Sequence, residues 1–367
     1  MNDSVSSDTA AKMFQLGKDE ATVRGCFRPS CIPMLTNIEH MDPLSIQTSL
    51  IDCPKVKGSG QDTSDHKMTV YIWDMDETLI LLKSLLNGTF AMAFGGSKDI
   101  EKGKSIGRSW EKYILQFSDE IFFYEQIENY NEPCLDSLRE FDDGRDLSEY
   151  DFKNDGFGSP CDDINKRKLA YRHRVIAQKY AKGLNNFLDQ EMITQWEHLY
   201  NLTDTYTDGW FSSARIFLQE TSGRNHMSDQ LISPEQHGLI SATDTKHQNV
   251  NILVTSGSLV PSLVKCLLFR LDDLIEAQNI YSSWEVGKLQ CFSWVKERFP
   301  GANVQFCVIG DGFEECKAAE AMTWPFIRID PRPDGFHRFP GLTMQMVKRY
   351  TEVIYNSNTT TGSDDDQ

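Results

Sequence analysis

The chain has 367 residues, 40% of them hydrophobic and 25% charged, enough to bury one large core or two modest ones. Its formal net charge of −17 sets up a field that repels a phosphate backbone, which argues against direct nucleic-acid binding by general electrostatics. No uninterrupted apolar stretch reaches the roughly eighteen residues of a membrane span, and the first residues carry no apolar signal core. The expectation is therefore a soluble, intracellular protein in the nucleus and/or cytoplasm, with no membrane partner. Nine cysteines, an odd number with no CxxC pair, fit reduced thiols better than a disulfide framework or a zinc cluster.

Residues 1–66 are rich in Ser, Asp, Pro and Gly with few apolar repeats, and are expected to form a flexible amino-terminal segment. The first strand is predicted at 69–73 (TVYIW), a continuous apolar run of the kind buried in a parallel sheet. About 170 residues then precede the next such run, too many for a simple crossover. They read as mostly helical, for example over 167–180 and 184–201, with a polar loop at 144–163 and a glycine-rich stretch at 95–107 (GGSKDIEKGKSIG) taken as a flexible loop. Strands follow at 251–255 (NILVT), 305–309 (QFCVI) and 326–329 (FIRI), and helices at 260–274, 288–299 and 314–322 alternate with them. This order predicts an α/β fold with a doubly wound parallel sheet. The core is expected over 67–84 and 246–356, a helical cap insertion over 85–245 and a disordered acidic tail over 357–367.

In such a sheet the ligand site lies at the carboxyl ends of the strands. Directly after the first strand stand Asp74 and Asp76, spaced so that one carboxylate can attack phosphorus while the other serves the leaving oxygen as acid. Taken alone, DMDET is equally a polar turn or helix cap. Thr255 and Ser256 follow NILV, where a hydroxyl and backbone N–H groups can hold phosphate oxygens, although a helix N-cap explains the same residues. Lys288 opens a helix after Gly287 and can neutralise a phosphoryl group; most lysines at such places are simply solvated. Asp311 and Glu315, four apart at the start of a helix after QFCVI, also suit the positive end of the helix dipole. Gathering Asp74, Asp76, Asp311 and Glu315 in one crevice would be strongly repulsive without a divalent cation, and hard oxygen donors suit Mg²⁺.

The succession acid pair, hydroxyl, lysine, acid pair resembles the haloacid dehalogenase (HAD) superfamily of phosphohydrolases. The closer likeness is to its Eyes absent branch. It rests on residues 73–78 (WDMDET) with 84–91 (SLLNGTFA), 144–157 (GRDLSEYDFKNDGF), 167–180, 251–255 with 259–268, and 310–315 with 325–329, within a span of about 68–356. The resemblance implies a HAD-like Rossmannoid core with a helical cap, Mg²⁺ dependence, and protein tyrosine phosphatase activity on a phosphotyrosine-containing protein substrate. It further implies Asp74 as nucleophile, Asp76 as general acid/base, and Thr255 and Lys288 as phosphate-binding residues. Asp74, the backbone carbonyl of Asp76 and Asp311 are the implied metal ligands, with Glu315 in support. The chain has no long Tyr/Ser/Pro-rich amino-terminal region, and in this it resembles the short plant-type members rather than the animal ones.

Two other readings stay beside this one, a phosphatase for Ser/Thr or small-molecule phosphates on the same core and a co-regulator whose cap binds a protein partner, while a thiolate enzyme is set aside. The thiolate reading rests on Cys161 and Arg167, which have the C-x5-R spacing, but the loop between them carries Asp162 and Asp163 and lacks glycine. The basic run Lys166, Arg167, Lys168, Arg172 and Arg174 reads as a solvated helix face that could draw in an acidic peptide. Trp284, Trp294 and Trp324 read as core or interface residues.

Overall fold

In a computed structural model the described residues are 67–223 and 249–360; the amino-terminal segment 1–66 lies outside them, as do 224–248 of the insertion and the tail beyond 360. Strands β1 (Met68–Trp73), β2 (Val250–Thr255), β3 (Ile280–Ser282), β4 (Val304–Gly310) and β5 (Phe326–Arg328) pair in parallel in the order β3-β2-β1-β4-β5. This is the Rossmann-like α/β sheet expected from the run of apolar segments. The four anticipated strands are present, and β3 is an additional one of three residues. The order reverses at β1, so the crevice of a doubly wound sheet opens at the carboxyl ends of β1 and β4.

The helices in chain order are α1 (Leu82–Asn87), α2 (Thr89–Ala93), α3 (Ile100–Phe122), α4 (Tyr124–Ile127), α5 (Asp163–Lys182), α6 (Gln190–Tyr206) and α7 (Trp210–Thr221) in the insertion. After β2 come α8 (Leu259–Leu268), α9 (Lys288–Arg298), α10 (Phe313–Ala321) and α11 (Met344–Thr360). Alternation along the strands sends Val70 and Ile72 to one face, where they pack with Ile252, Val254, Phe306 and Val308 under Phe292 and Val295 of α9 and Ala318 and Ala319 of α10. Phe306 stacks on Trp324 at 4.3 Å in the same layer.

The opposite face is closed by insertion helices. The Trp73 ring meets Phe217 of α7 edge-on at 5.9 Å, and its indole N–H donates to Asn251 Oδ1 at 3.1 Å. Asn251 is a buried amide in mid-strand, and it is satisfied from both sides: its Nδ2 donates to Leu218 O, and its oxygen also accepts from Thr221 Oγ1. An unpaired amide there would cost about 1–3 kcal/mol. Further buried indoles tie the insertion together and to the core: Trp110 donates to Thr203 Oγ1, Trp196 to Leu268 O, and Trp210 to Thr78 O, all at 2.8–3.0 Å.

Several expectations need correction. The stretch 95–107 is not a loop throughout, because α3 begins at Ile100 behind an Asp99 cap. Gly107 is there for close packing: a Cβ on it would meet the Leu86 backbone nitrogen at 2.9 Å, which no side chain permits. The predicted helix at 260–274 ends at Leu268, where Arg270 takes a left-handed conformation (φ 59°) and Leu271 N turns back to Cys266 O. The helix expected from 184 begins at Gln190, after a 3₁₀ turn at Leu184–Asn186. At the other end α11 runs on to Thr360, past the point at 357 where the tail was expected to lose structure.

Contacts divide the described chain into a unit of residues 137–172 and a larger unit holding the rest. The smaller one is organised by side chains that cap their own backbone, as where Asp142, Asp146 and Asp151 each accept from an N–H two residues on. At its centre Arg172, a member of the basic run, is not solvated. It is buried, donates to both Asp155 oxygens at 2.8 and 3.1 Å, and places its guanidinium 4.3 Å from the Phe157 ring centre. Among the described residues, six cysteines are present and none is bridged, and no helix is long and apolar enough to cross a membrane.

In the larger unit His173 is buried, its Nδ1 has no hydrogen-bond partner, and burial pulls its pKa down to about 4 against the raising effect of the Leu135 backbone. It therefore folds neutral. Between pH 6.5 and about 4 the unfolded chain binds a proton there that the folded chain does not, so stability falls as pH falls through that window and levels off below it. His173→Gln should remove on the order of 3 kcal/mol of that acid sensitivity; denaturant titrations of both proteins at pH 7 and pH 4.5 would show the wild type losing more than the variant.

Candidate active site

The site grows from the end of β1. Asp74 extends the ladder by one bond, its N–H donating to Ile309 O at 2.9 Å, and the chain then turns sharply, with Leu79 N bonded to Met75 O and Glu77 N to Ile80 O. Glu77 accepts a left-handed backbone (φ 63°) to make that turn, and its carboxylate anchors the loop by accepting from Ser84 N at 3.0 Å. Asp74 is left 8% exposed at the floor of the crevice, with Asp76 half-buried above it on the loop.

Two other strand ends bring residues to Asp74, and the turn after β2 lies near the Asp76 side chain. Lys288, the first residue of α9, is buried and its ammonium bonds Asp74 Oδ1. The same ammonium lies 3.1 Å from Glu315 Oε2 of α10. Glu315 folds back over its own helix start, where Oε1 accepts from Gly312 N at 2.5 Å. That fold-back explains Gly310, on which a Cβ would meet Glu315 Cγ and Oε1 at 2.7 Å. Asp311, between these glycines, completes a set with Asp74 and Glu315 in which one oxygen from each lies within 4.8 Å of the others. At the end of β2, Thr255 is buried; its hydroxyl oxygen accepts from Gly257 N at 3.3 Å, which leaves its proton free to donate, and its carbonyl accepts from Ser283 N and Oγ. Ser256 follows it, exposed at the edge.

The charges do not balance within this set. One ammonium faces three carboxylates, an excess of two negative charges if all are ionised. Burial pushes Asp74 up to about 7, with Lys288 opposing the shift and Glu315 and Asp311 adding to it. Asp311 is pushed up to about 6 by burial and then by Glu315 and Glu77. Burial acts on Glu315 too, but the Lys288 charge and the Gly312 N–H outweigh it and hold its pKa below the ordinary value. Lys288 is held above its ordinary value because Asp74 and Glu315 outweigh its own burial. Additional positive charge beside Asp74 would favour its ionised form. The donor set of hard carboxylate oxygens, with no His or Cys in it, fits a small divalent cation.

Two residues of the site were not anticipated. Thr78, fully buried, donates its hydroxyl to Asp74 Oδ2 at 3.3 Å. Lys265 of α8, 8% exposed, places its ammonium 2.8 Å from both oxygens of Asp76. The signal for Lys265 was available, since it is a lone cation in the otherwise apolar run 259–268 (LVPSLVKCLL), every residue of which is buried. Trp284, read as core or interface, is 47% exposed and so is not core; Val286, Leu289 and Phe313 are exposed as well, all close in sequence to Lys288 or Asp311. Cys161 is exposed and unbridged, and it belongs to the unit of residues 137–172, not to the unit that holds Asp74.

The chain is 56% identical over 296 residues to Protein phosphatase EYA of Arabidopsis thaliana, a match covering 81% of this chain and 94% of that protein. It belongs to the Eyes absent family of protein phosphatases. Animal relatives are more distant: human Protein phosphatase EYA2 is 31% identical over 303 residues and Drosophila melanogaster Protein phosphatase eya 32% over 284. These matches cover 76% and 72% of this chain, but only 52% and 34% of those longer proteins. No protein-family model matches the chain. The protein is thus a phosphatase, and the buried carboxylate–lysine cluster is where its chemistry is to be sought.

A hydrogen bond to an ionised group contributes about 1.5–3 kcal/mol, so Thr78→Val should lower kcat by about 10- to 100-fold with KM within about twofold. Steady-state kinetics on an aryl phosphate would check this, and an unchanged kcat would remove Thr78 from the site.

Proposed function

We propose that the protein is a Mg²⁺-dependent protein tyrosine phosphatase of HAD type that works through an aspartyl-phosphate on Asp74. The observation that carries this reading is the placement of Asp74: buried at the carboxyl end of the central strand, bonded by Lys288 and Thr78, and within 4.8 Å of Asp311 and Glu315. Asp74, Asp311 and the backbone carbonyl of Asp76 would hold the cation, with Glu315 in support. Bound there, Mg²⁺ would supply positive charge that keeps Asp74 ionised and screens it from the phosphoryl group.

The residues of the chain then divide the work. Lys288 and Thr255, with Ser256 beside it, hold the phosphoryl oxygens. Asp74 attacks phosphorus in line; the bond to the leaving oxygen breaks as Asp76 gives that oxygen its proton. Asp76, now a carboxylate, takes a proton from water as the water oxygen attacks the aspartyl-phosphate, which frees inorganic phosphate and returns Asp74 and Asp76 to their starting forms. A phenol ionises near pH 10 and is a better leaving group than an alkoxide, which favours phosphotyrosine over phosphoserine. The exposed apolar side chains Trp284, Val286, Leu289 and Phe313 suit an aromatic residue and its neighbours in a protein substrate. The 85–245 insertion is taken as the cap, and a protein partner would engage it.

Hydrolysis of p-nitrophenyl phosphate and of a phosphotyrosine peptide should fall by at least about 10³-fold in Asp74→Asn, and likewise in EDTA with recovery on adding Mg²⁺. Cys161→Ser should leave both rates unchanged. Turnover that survives Asp74→Asn but disappears in Cys161→Ser would overturn the mechanism, and equal turnover of phosphotyrosine and phosphoserine peptides would remove the tyrosine preference.

A further inference from the structure

The nearly symmetrical contact between Lys265 and Asp76 has no part in the mechanism as derived. Lys265 sits midway along α8, and all ten residues of that helix are buried. Its ammonium reaches both Asp76 oxygens at 2.8 Å, across 189 residues of sequence. The Lys265 side chain is 10% exposed and that of Asp76 35%, and an ion pair open to solvent at one end contributes only about 0–1 kcal/mol, so stability gives little reason for it. A leucine or methionine at 265 would continue the apolar run of its helix.

The surroundings of Asp76 show what the lysine does. Asp76 is carried by a loop, not by the strand, and its side chain has two free torsions with which to turn. Lys265 occupies one side of the carboxylate. On another side lies the phosphate-binding turn after β2: a Cβ built on Gly257 would come 4.0 Å from Asp76 Oδ2 and 3.7 Å from Thr255 Oγ1. The carboxylate is therefore held between a fixed ammonium and the turn where the phosphoryl group is to bind. An acid/base group must hold its reacting oxygen within hydrogen-bond reach of the proton it moves, and small displacements cost large factors in rate.

We propose that Lys265 is a positioning residue for Asp76: it holds the carboxyl group in the orientation from which Asp76 serves the leaving oxygen, without itself touching the substrate, donating to both oxygens of the carboxylate and to the unprotonated oxygen alone while Asp76 carries the proton it gives up. This rests on the reading of Asp76 as the general acid/base. It predicts that Lys265 matters in proportion to how much help the leaving group needs, and that it matters only while Asp76 is present.

The test is a double-mutant cycle of Lys265→Met and Asp76→Asn in the full chain with Mg²⁺, assayed on a phosphotyrosine peptide and on aryl phosphates of graded phenol acidity. Lys265→Met should lower kcat on the peptide by about tenfold or more, and progressively less as the phenol becomes more acidic, with KM within about twofold. In the Asp76→Asn background the same substitution should change kcat by less than about twofold, and Lys265→Arg should recover most of the single-variant loss. Thermal unfolding of each variant reports folding; if Lys265→Met does not fold, Lys265→Gln, which is shorter and carries no charge, takes its place in the cycle. An equal proportional loss across all leaving groups, or losses that multiply in the double variant, would overturn the proposal while leaving the acid/base role of Asp76 standing. An Asp76→Asn protein with undiminished kcat on the peptide would instead strike at that role.

Discussion

Crowding three carboxylates together, two of them buried and one half-buried, is the constraint around which this molecule is arranged. Asp74, Asp311 and Glu315 come from the ends of the two central strands and from the helix that follows the second, and Lys288 is placed between two of them from the start of a further helix. Neither partner would be tolerated alone: an isolated buried charge costs several kcal/mol, and a lone ammonium does not offset three acids. Details that look unrelated follow from this. Gly310 is bare so that the Glu315 carboxylate can fold back, Thr78 turns its hydroxyl inward to the far oxygen of Asp74, and burial first, then the neighbouring acids, raise the pKa values of Asp74 and Asp311.

The second constraint is mechanical. The loop that carries Asp74 and Asp76 is braced from several directions. Glu77 holds it to Ser84, its own backbone bonds close the turn from Met75 to Ile80, and Trp210 of the insertion donates to the Thr78 carbonyl. The insertion thus does more than lengthen the chain between β1 and β2. Its buried indoles and Asn251 form a set of satisfied polar contacts that joins the added helices to the sheet, and part of it ends on the acid-bearing loop itself.

Viewed from the two acids, the design is paired. Asp74 and Asp76 stand two residues apart on one turn, yet each meets its own lysine, Lys288 from α9 and Lys265 from α8. With separate partners the two carboxyl groups, so close in sequence, are turned in different directions, where a shared cation would draw them to the same point. On the proposed mechanism, separate partners would let one carboxylate face the phosphorus while the other faces the leaving oxygen, the division of labour that acid-assisted phosphoryl transfer needs.

Much of this was written in the linear chain, for a physical reason. A strand buried on both faces needs apolar residues without interruption, so TVYIW, NILVT and QFCVI stand out, and polar residues directly after them have nowhere to go but the carboxyl edge of the sheet. That is why Asp74, Thr255 and Asp311 stand out as candidate residues in the sequence alone. What only the tertiary structure decided are matters of distance between remote segments. β3 is three residues long and shows no period; Gly107 reads as a loop residue until Leu86 is seen against it; and nothing in a lone lysine of α8 names its partner 189 residues earlier. Local pattern reports which face of an element is buried, whereas the identity of the group it is buried against is set by how the chain closes on itself.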